Sequence, residues 1–254
     1  RGSQTGISNG AGFVSFSIPT GSVANSLTPN PRERPYETVD IRIVLRGFIT
    51  VSIIGEQIFP NQTTKQTVRM EVLTATPNEL EKIIIIPEHQ LYTNRADVRL
   101  PEEDALPAAV TEQPRQVIVP ESIRVHLGPP GANVRTVTVP FIDYIKNVAS
   151  SEIYPTWPEE AIRANMYAQI SFALNRVYTE YYRSRGYDFD ITNSTAIDQS
   201  FVYGRDIFEN ISRIVDEIFD SYIRRRGSVE PLFALYCDGI EVQCGGLWSA
   251  VWRT

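Results

Sequence analysis

At 254 residues the chain is long enough for two modest domains, taking about 150 residues each as a guide. Its net charge of −6 (pI ≈ 5.1) argues against nucleic acid or an anionic membrane surface as the main partner. Composition is that of an ordinary soluble protein, 42% hydrophobic and 21% charged, and apolar runs such as Ile83 to Ile86 are far too short to cross a bilayer.

Residues 1–75 read as all-β. A first strand runs from Phe13 to Ile18 and ends at Pro19. Val39, Ile41, Ile43 and Leu45 alternate with Asp40 and Arg42, the pattern of a half-buried strand. Arg46-Gly47 is a turn signal, after which Ile49, Val51 and Ile53 resume the alternation. Beyond the polar loop at 61–64, Val68, Met70 and Val72 predict another strand. The start Gly10-Ala11-Gly12-Phe13-Val14-Ser15-Phe16 and the pair Gly47-Phe48 after Tyr36 resemble a transthyretin-like or carboxypeptidase-regulatory β-sandwich. About half a sandwich is present, which implies exposed edge strands. Residues 76–116 change character: Pro77, Pro87, Pro101, Pro107 and Pro114 punctuate them, and Glu102, Glu103 and Asp104 cluster. Apart from a strand at Ile83–Ile86 this segment reads as a linker, open to proteases.

Residues 117–254 read as an α+β unit. Val117–Val119, Ile123–Leu127 and Val134–Val139 are predicted strands, the last two separated by the turn Gly128-Pro129-Pro130-Gly131. A helix follows Pro140, with Phe141, Ile145 and Val148 on one face. Thr156 and Glu159 have capping-box spacing, and Pro158 suits a first helical turn. They open a long central helix from about Trp157 to Arg183, stopped by Gly186, with Ile162, Met166, Ile170, Leu174, Val177 and Tyr181 as its core stripe. A further helix is expected from Asp206 to Arg225, with Arg224, Arg225 and Arg226 in its last turn and Gly227 beyond. Phe233–Cys237, Asp238-Gly239 and Ile240–Cys244 spell a hairpin. Its register separates Cys237 and Cys244 by roughly 13 Å, too far for a disulfide. These two cysteines, with His89 and His126 as the only histidines, lack the usual spacing of a four-ligand zinc site. The chain is read as free of metal and cofactor.

Chemistry points to Glu152. It lies in the short bend between two helices, beside Ile153, Tyr154 and Trp157. Desolvation by such neighbours raises a carboxyl's pKa, as a general acid working near neutrality needs. Ser151 adjoins it, but no motif brings either histidine close, so serine-hydrolase chemistry is not indicated.

Glu152-Ile153-Tyr154-Pro155, then Trp157-Pro158 and a helix, carry a resemblance of residues 140–245 to the stage II sporulation protein D family of peptidoglycan lytic transglycosylases. Over a wider span, the segments Pro140–Tyr154, Leu174–Glu180, Arg185–Phe189 and Tyr236–Ile240 look like the spore cortex-lytic enzymes of clostridia. The resemblance implies an α+β catalytic domain after the partial β-sandwich. It also implies that Glu152 is the acid, cleaving the β-1,4 bond between N-acetylmuramic acid and N-acetylglucosamine in spore cortex, and a location in spore cortex, coat or cell wall. One glutamate would serve both proton transfers, first to the glycosidic oxygen and then from the substrate's own 6-hydroxyl. Relatives are made as precursors, and the corresponding cut by an activating protease would fall near Gln116-Val117. Tyr154 and Trp157 are the candidate sugar-stacking rings. Ser200-Phe201-Val202-Tyr203-Gly204 resembles the family's Ser-Gln-Val-Tyr-Gly, making Ser200 and Tyr203 candidate substrate contacts, with Phe201 in place of a polar group. Asp188, Asp190 and Asp198 read either as a returning second carboxylate or as turn and cap residues. The stretch after Cys244 begins like that of the relatives and stops, which fits an alternative: a non-catalytic relative that binds peptidoglycan or a spore-coat partner.

The linker reading predicts that limited proteolysis cuts first within residues 94–117. Peptide mapping that places the first cuts inside 157–183 would contradict this boundary.

Overall fold

The alternation after Tyr36 builds two strands, β1 (Glu37–Ile43) and β2 (Thr50–Ile58), paired antiparallel with Ile41 opposite Ile53 and Ile43 opposite Val51. In the computed structural model, which describes residues 2–20, 26–27, 33–74, 80–89, 91 and 116–234, the turn between them lies at Arg46-Gly47. Gly47 takes a φ of 84° there, and the Phe48 N–H closes the turn on the Leu45 C=O. The short strand β3 (Thr64–Lys65) follows. The isoleucine run supplies β4 (Glu81–Ile85), which lies parallel to β2 in a sheet ordered β1-β2-β4. Val51, Ile53 and Ile86 are buried on one side, while Ile83 and Ile85 remain exposed on the other.

β5 (Ser122–His126) and β6 (Thr136–Pro140) form the antiparallel pair expected around the Gly-Pro-Pro-Gly turn. Pro140 leads directly into α1 (Phe141–Glu152), whose Phe141, Tyr144, Ile145 and Val148 are fully buried. α2 (Glu159–Tyr178) is the long central helix, and β7 (Ile191–Thr192) returns parallel to β5. β8 (Ile207–Phe208) pairs with β3 and passes into α3 (Glu209–Ile218). The described residues thus form a mixed α+β fold with three small sheets and three α-helices.

Several expectations are corrected. Residues 13–18 form no strand, and Phe13 and Phe16 are exposed. Val117–Val119 is not a strand, and of Val68, Met70 and Val72 only Val72 makes a bridge, to Phe48. No capping box opens α2. The Thr156 hydroxyl donates to Ser26 Oγ at 2.7 Å, and Glu159 bridges Arg163 and Arg213, each at 2.7 Å. α2 stops at Tyr178, ahead of Gly186, in a Schellman turn: Glu180 (φ 52°) donates to the Val177 C=O and Tyr181 to the Arg176 C=O. α3 is much shorter than 206–225. Its expected first turn is the strand β8, and beyond Ile218 the Ile223 N–H donates to Ser171 Oγ instead of continuing the helix. Arg224 then bridges Pro231, and Gly227 (φ 83°) sits in a surface turn. The Cys237–Cys244 hairpin, the acidic run at 102–104 and most of 94–117 lie outside the described residues.

The buried strand residues Val51, Ile53 and Ile86 form a small cluster of their own, whereas Tyr36 and Phe59, just outside β1 and β2, join the core of the helices. Phe59 meets Phe208 edge-on at 5.2 Å and Tyr154 at 5.6 Å between ring centroids. Beside it lies a buried charge cluster. The Thr64 hydroxyl donates to Asp206 Oδ2 at 2.5 Å, Arg205 approaches Asp206 Oδ1 at 3.6 Å, and Glu56 of β2 is buried beside them. Burial first, and then the neighbouring Asp206 charge, push Glu56 up from its ordinary 4.5 to about 8, against the attraction of Arg205.

The folded chain therefore holds the Glu56 proton more tightly than the unfolded chain, and stability falls as pH rises from 4.5 through about 8. Glu56→Gln, neutral at every pH, should flatten that fall. In urea unfolding near pH 9 it should exceed the parent's stability, by on the order of a few kcal/mol. A variant that tracks the parent's pH curve would remove Glu56 as the source.

Candidate functional site

Glu152 is the last residue of α1, where the helix ends because Ile153 is extended while its N–H still reaches the Ala149 C=O. The carboxyl is half-buried and held through both oxygens. The Ser200 backbone N–H donates to Oε1 at 2.7 Å, and Gln169 Nε2 of α2 donates to Oε2 at 2.9 Å. Both donors come from distant parts of the chain, so tertiary packing aims this side chain.

The loop 198–206 brings Ser200 into place. Asn147, on α1, binds both backbone groups of Val202: its Nδ2 donates to the C=O at 2.8 Å and its Oδ1 accepts the N–H at 2.9 Å. One helical turn further on, the Ser151 hydroxyl donates to the Asn147 C=O and accepts Arg205 Nη1 at 3.0 Å. Gln199 completes the second layer, accepting the Tyr144 hydroxyl at 3.2 Å and donating to the Gln169 C=O at 3.2 Å. Burial raises the Tyr144 phenol well above its ordinary value, helped by the negative charges of Asp198 and Glu152. Tyr144 therefore stays a neutral donor at the back of the site.

Of the residues singled out from sequence, Glu152 and Ser200 come together, Ser200 through its backbone and not its buried side chain. Tyr154 is a correction. Only 1% exposed, it packs on Phe59 and His89 and meets Trp157 edge-on, so its faces are closed to a sugar. Trp157 is half-buried, with its indole N–H bound to the Ser26 C=O at 3.1 Å. Tyr203 is 38% exposed, with the Arg135 guanidinium 5.0 Å from its ring centroid. Phe201 stacks on Tyr144 at 5.4 Å and belongs to the core.

The three aspartates have structural partners. Asp198 is buried against Arg176 (2.8 Å) and also accepts the Tyr182 hydroxyl and both the N–H and hydroxyl of Thr192. Asp190 takes the Arg124 N–H and Arg183, and Asp188 pairs with the Arg124 side chain. These contacts pin β7 and the turn after α2 through ion pairs with distant residues, and none of the three caps a helix. The His126 ring lies between the Ala132 C=O and the Thr136 hydroxyl, each 3.1 Å away. Among the described residues no group of three or more His, Cys, Asp or Glu side chains could hold a metal ion.

Sequence reasoning missed Asn147, Gln169, Gln199 and Arg205. Two of them left a signal: Asn147 interrupts the buried face of α1, and Gln169 stands between Met166 and Ile170 of the α2 stripe. A polar residue on such a face needs a buried partner.

Comparison with protein families, with curated proteins and with solved structures finds no match for this chain. No helix among the described residues is long and apolar enough to cross a membrane. Within this arrangement the Glu152 carboxyl is half-buried and oriented by groups from α2 and from the loop 198–206.

Asn147→Ala would leave the Val202 N–H and C=O without their side-chain partner, at a cost of about 1–3 kcal/mol. Hydrogen exchange should show the Val202 amide losing protection before the amides of α1. Unchanged protection there would mean that Asn147 does not hold the loop.

Proposed function

We propose that the chain is a peptidoglycan lytic transglycosylase acting on spore cortex glycan, with Glu152 as its single acid and base. The proposed arrangement is a partial β-sandwich at the N-terminus followed by a catalytic domain of the stage II sporulation protein D kind. The observation that carries it is the Glu152 carboxyl, half-buried at the end of α1 and oriented by Gln169 and the Ser200 N–H. The motif resemblance across residues 140–245 gives the substrate class.

Protonated Glu152 would donate to the glycosidic oxygen as the C1–O bond to N-acetylglucosamine breaks. The resulting carboxylate would then take the proton of the muramic acid 6-hydroxyl as that oxygen bonds to C1, closing a 1,6-anhydro ring. One carboxyl suffices because the second nucleophile belongs to the substrate, unlike the paired carboxylates of most glycoside hydrolases. Tyr203, and the open part of Trp157, are the proposed sugar contacts. Action in spore cortex or cell wall, and cleavage by an activating protease near Gln116-Val117, belong to the same reading.

Glu152→Gln keeps shape and hydrogen bonding but removes the titratable proton. Against purified cortex it should bind like the parent and release anhydro-muropeptides at least 10²–10⁴-fold more slowly, the usual contribution of acid–base catalysis. Glu159→Gln, altering the exposed ion pairs with Arg163 and Arg213, should keep nearly full activity. Equal losses in both variants would indicate folding damage, and full activity in Glu152→Gln would overturn the assignment. A parent that binds cortex without cleaving it would favour the binding-protein alternative.

A further inference from the structure

Tyr203 is presented outward by anchors on both sides of it. Asn147 holds both backbone groups of Val202, and the Gly204 C=O accepts Gln66 Nε2 at 3.0 Å. Gly204 takes a φ of 86° and lies so close to β4 that a Cβ there would come within 3.1 Å of the Ile84 side chain. Between these fixed neighbours the Tyr203 ring stays 38% exposed. Arg135 lies against it, with its guanidinium 5.0 Å from the ring centroid and Nη2 3.4 Å from the hydroxyl. The Arg135 backbone is fixed as well. Its C=O accepts the Leu127 N–H at 3.0 Å, just ahead of β6, the strand that runs into α1.

Arg135 is exposed, and among the described residues it makes no ion pair. Its surroundings are cationic. Glu71 is held below its ordinary carboxylate range first by the hydrogen bond from Lys82, at 2.9 Å, and at longer range by the charges of Arg135 and Arg69. Three cations thus act on one carboxylate, in a chain whose net charge is −6. A guanidinium that rests on an aromatic ring and has no carboxylate of its own is equipped to take one from a ligand through two parallel N–H bonds.

We propose that Arg135, seated on Tyr203, is a specificity-determining residue that binds the carboxylate carried by the side arm of muramic acid. This rests on the reading of Glu152 as the acid and base of a muramic glycan cleavage. Of the two sugars in that polymer only muramic acid bears an acid, on the lactyl ether itself or on the peptide joined to it. A cation beside the glycan therefore tells the two sugars apart. Ser200, whose N–H orients Glu152, stands three residues before Tyr203, no more than about 11 Å along the chain. One oligosaccharide can thus lie on Tyr203 while a glycosidic bond sits at Glu152. Pairing at Arg135 fixes which of the two alternating linkages faces the carboxyl.

The test compares, by calorimetry, three tetrasaccharides of alternating N-acetylglucosamine and N-acetylmuramic acid. One has free lactyl carboxylates, one has those carboxyls converted to neutral methylamides, and one has stem peptides attached. Binding is measured on the full chain carrying Glu152→Gln, which keeps the probe whole. At low salt an acid form should bind roughly three- to tenfold more tightly than the neutral form, and the preference should shrink at high ionic strength. The acid form that shows the preference identifies which carboxylate is read. Adding Arg135→Gln should abolish the preference. A neutral form that binds as well as both acid forms, or no binding of either acid form, overturns the proposal without any change at Arg135. A preference that survives Arg135→Gln overturns it too. In cleavage assays with Glu152 intact, Arg135→Gln should raise KM for the preferred acid form by the same factor. A parent that releases no anhydro product removes the transglycosylase reading, while the binding comparison still decides the role of Arg135.

Discussion

Two hydrogen bonds between the Asn147 amide and the backbone of Val202 underlie the geometry of the candidate site. They fix the loop 198–206 against the last turns of α1, and with the loop come the Ser200 N–H, Gln199 and Arg205. Each of these touches a residue on α1 or α2 that bears on Glu152. Asn147 can do this because α1 is buried on nearly every side, so a polar side chain there is driven to saturate both its donor and its acceptor on one peptide. The Arg176–Asp198 pair anchors the beginning of the same loop, also in a buried setting. Such a pair adds little net stability over an apolar substitute, but breaking it is costly, which favours one loop conformation.

The N-terminal strands contribute directly to this arrangement. Thr64 holds Asp206, Glu56 lies against the same buried charges, and Phe59 fills the core between Tyr154 and Phe208. Arg205 links that cluster to Ser151, the neighbour of Glu152. A cut near Gln116 would sever the chain but leave every one of these contacts in place. Phe59 and Thr64 thus tie the residues around β2 and β3 to the helical part by packing and a hydrogen bond.

Much of this was legible in the sequence where the signal is local. Pro140 followed by Phe141, Ile145 and Val148 located α1 and put Glu152 at its end; the isoleucine run located β4. Local signals failed wherever a distant residue competed for the same group. The spacing of Thr156 and Glu159 suits a capping box, yet Ser26 takes the hydroxyl and Arg163 and Arg213 take the carboxylate. Ile207 fits a helical stripe but pairs with Lys65 across more than half the chain. Tyr154 illustrates the limit of reading a site from residue type, because an aromatic suited to a sugar face is equally suited to a core, and the rings of Phe59 and His89 decide the matter. The two donors to Glu152 could not be paired with it from spacing, since they stand 17 and 48 residues away.

The proposed reaction, with Glu152 as both acid and base, commits itself on where the new end of the glycan gets its oxygen. In hydrolysis that oxygen comes from water; in the proposed reaction it comes from the sugar's own 6-hydroxyl. Digestion of cortex by the full chain in water enriched in oxygen-18, followed by mass spectrometry of the released muropeptides, separates the two. The account predicts anhydro ends carrying no heavy oxygen. Reducing ends labelled with oxygen-18 would contradict it and require a second group to activate water opposite Glu152.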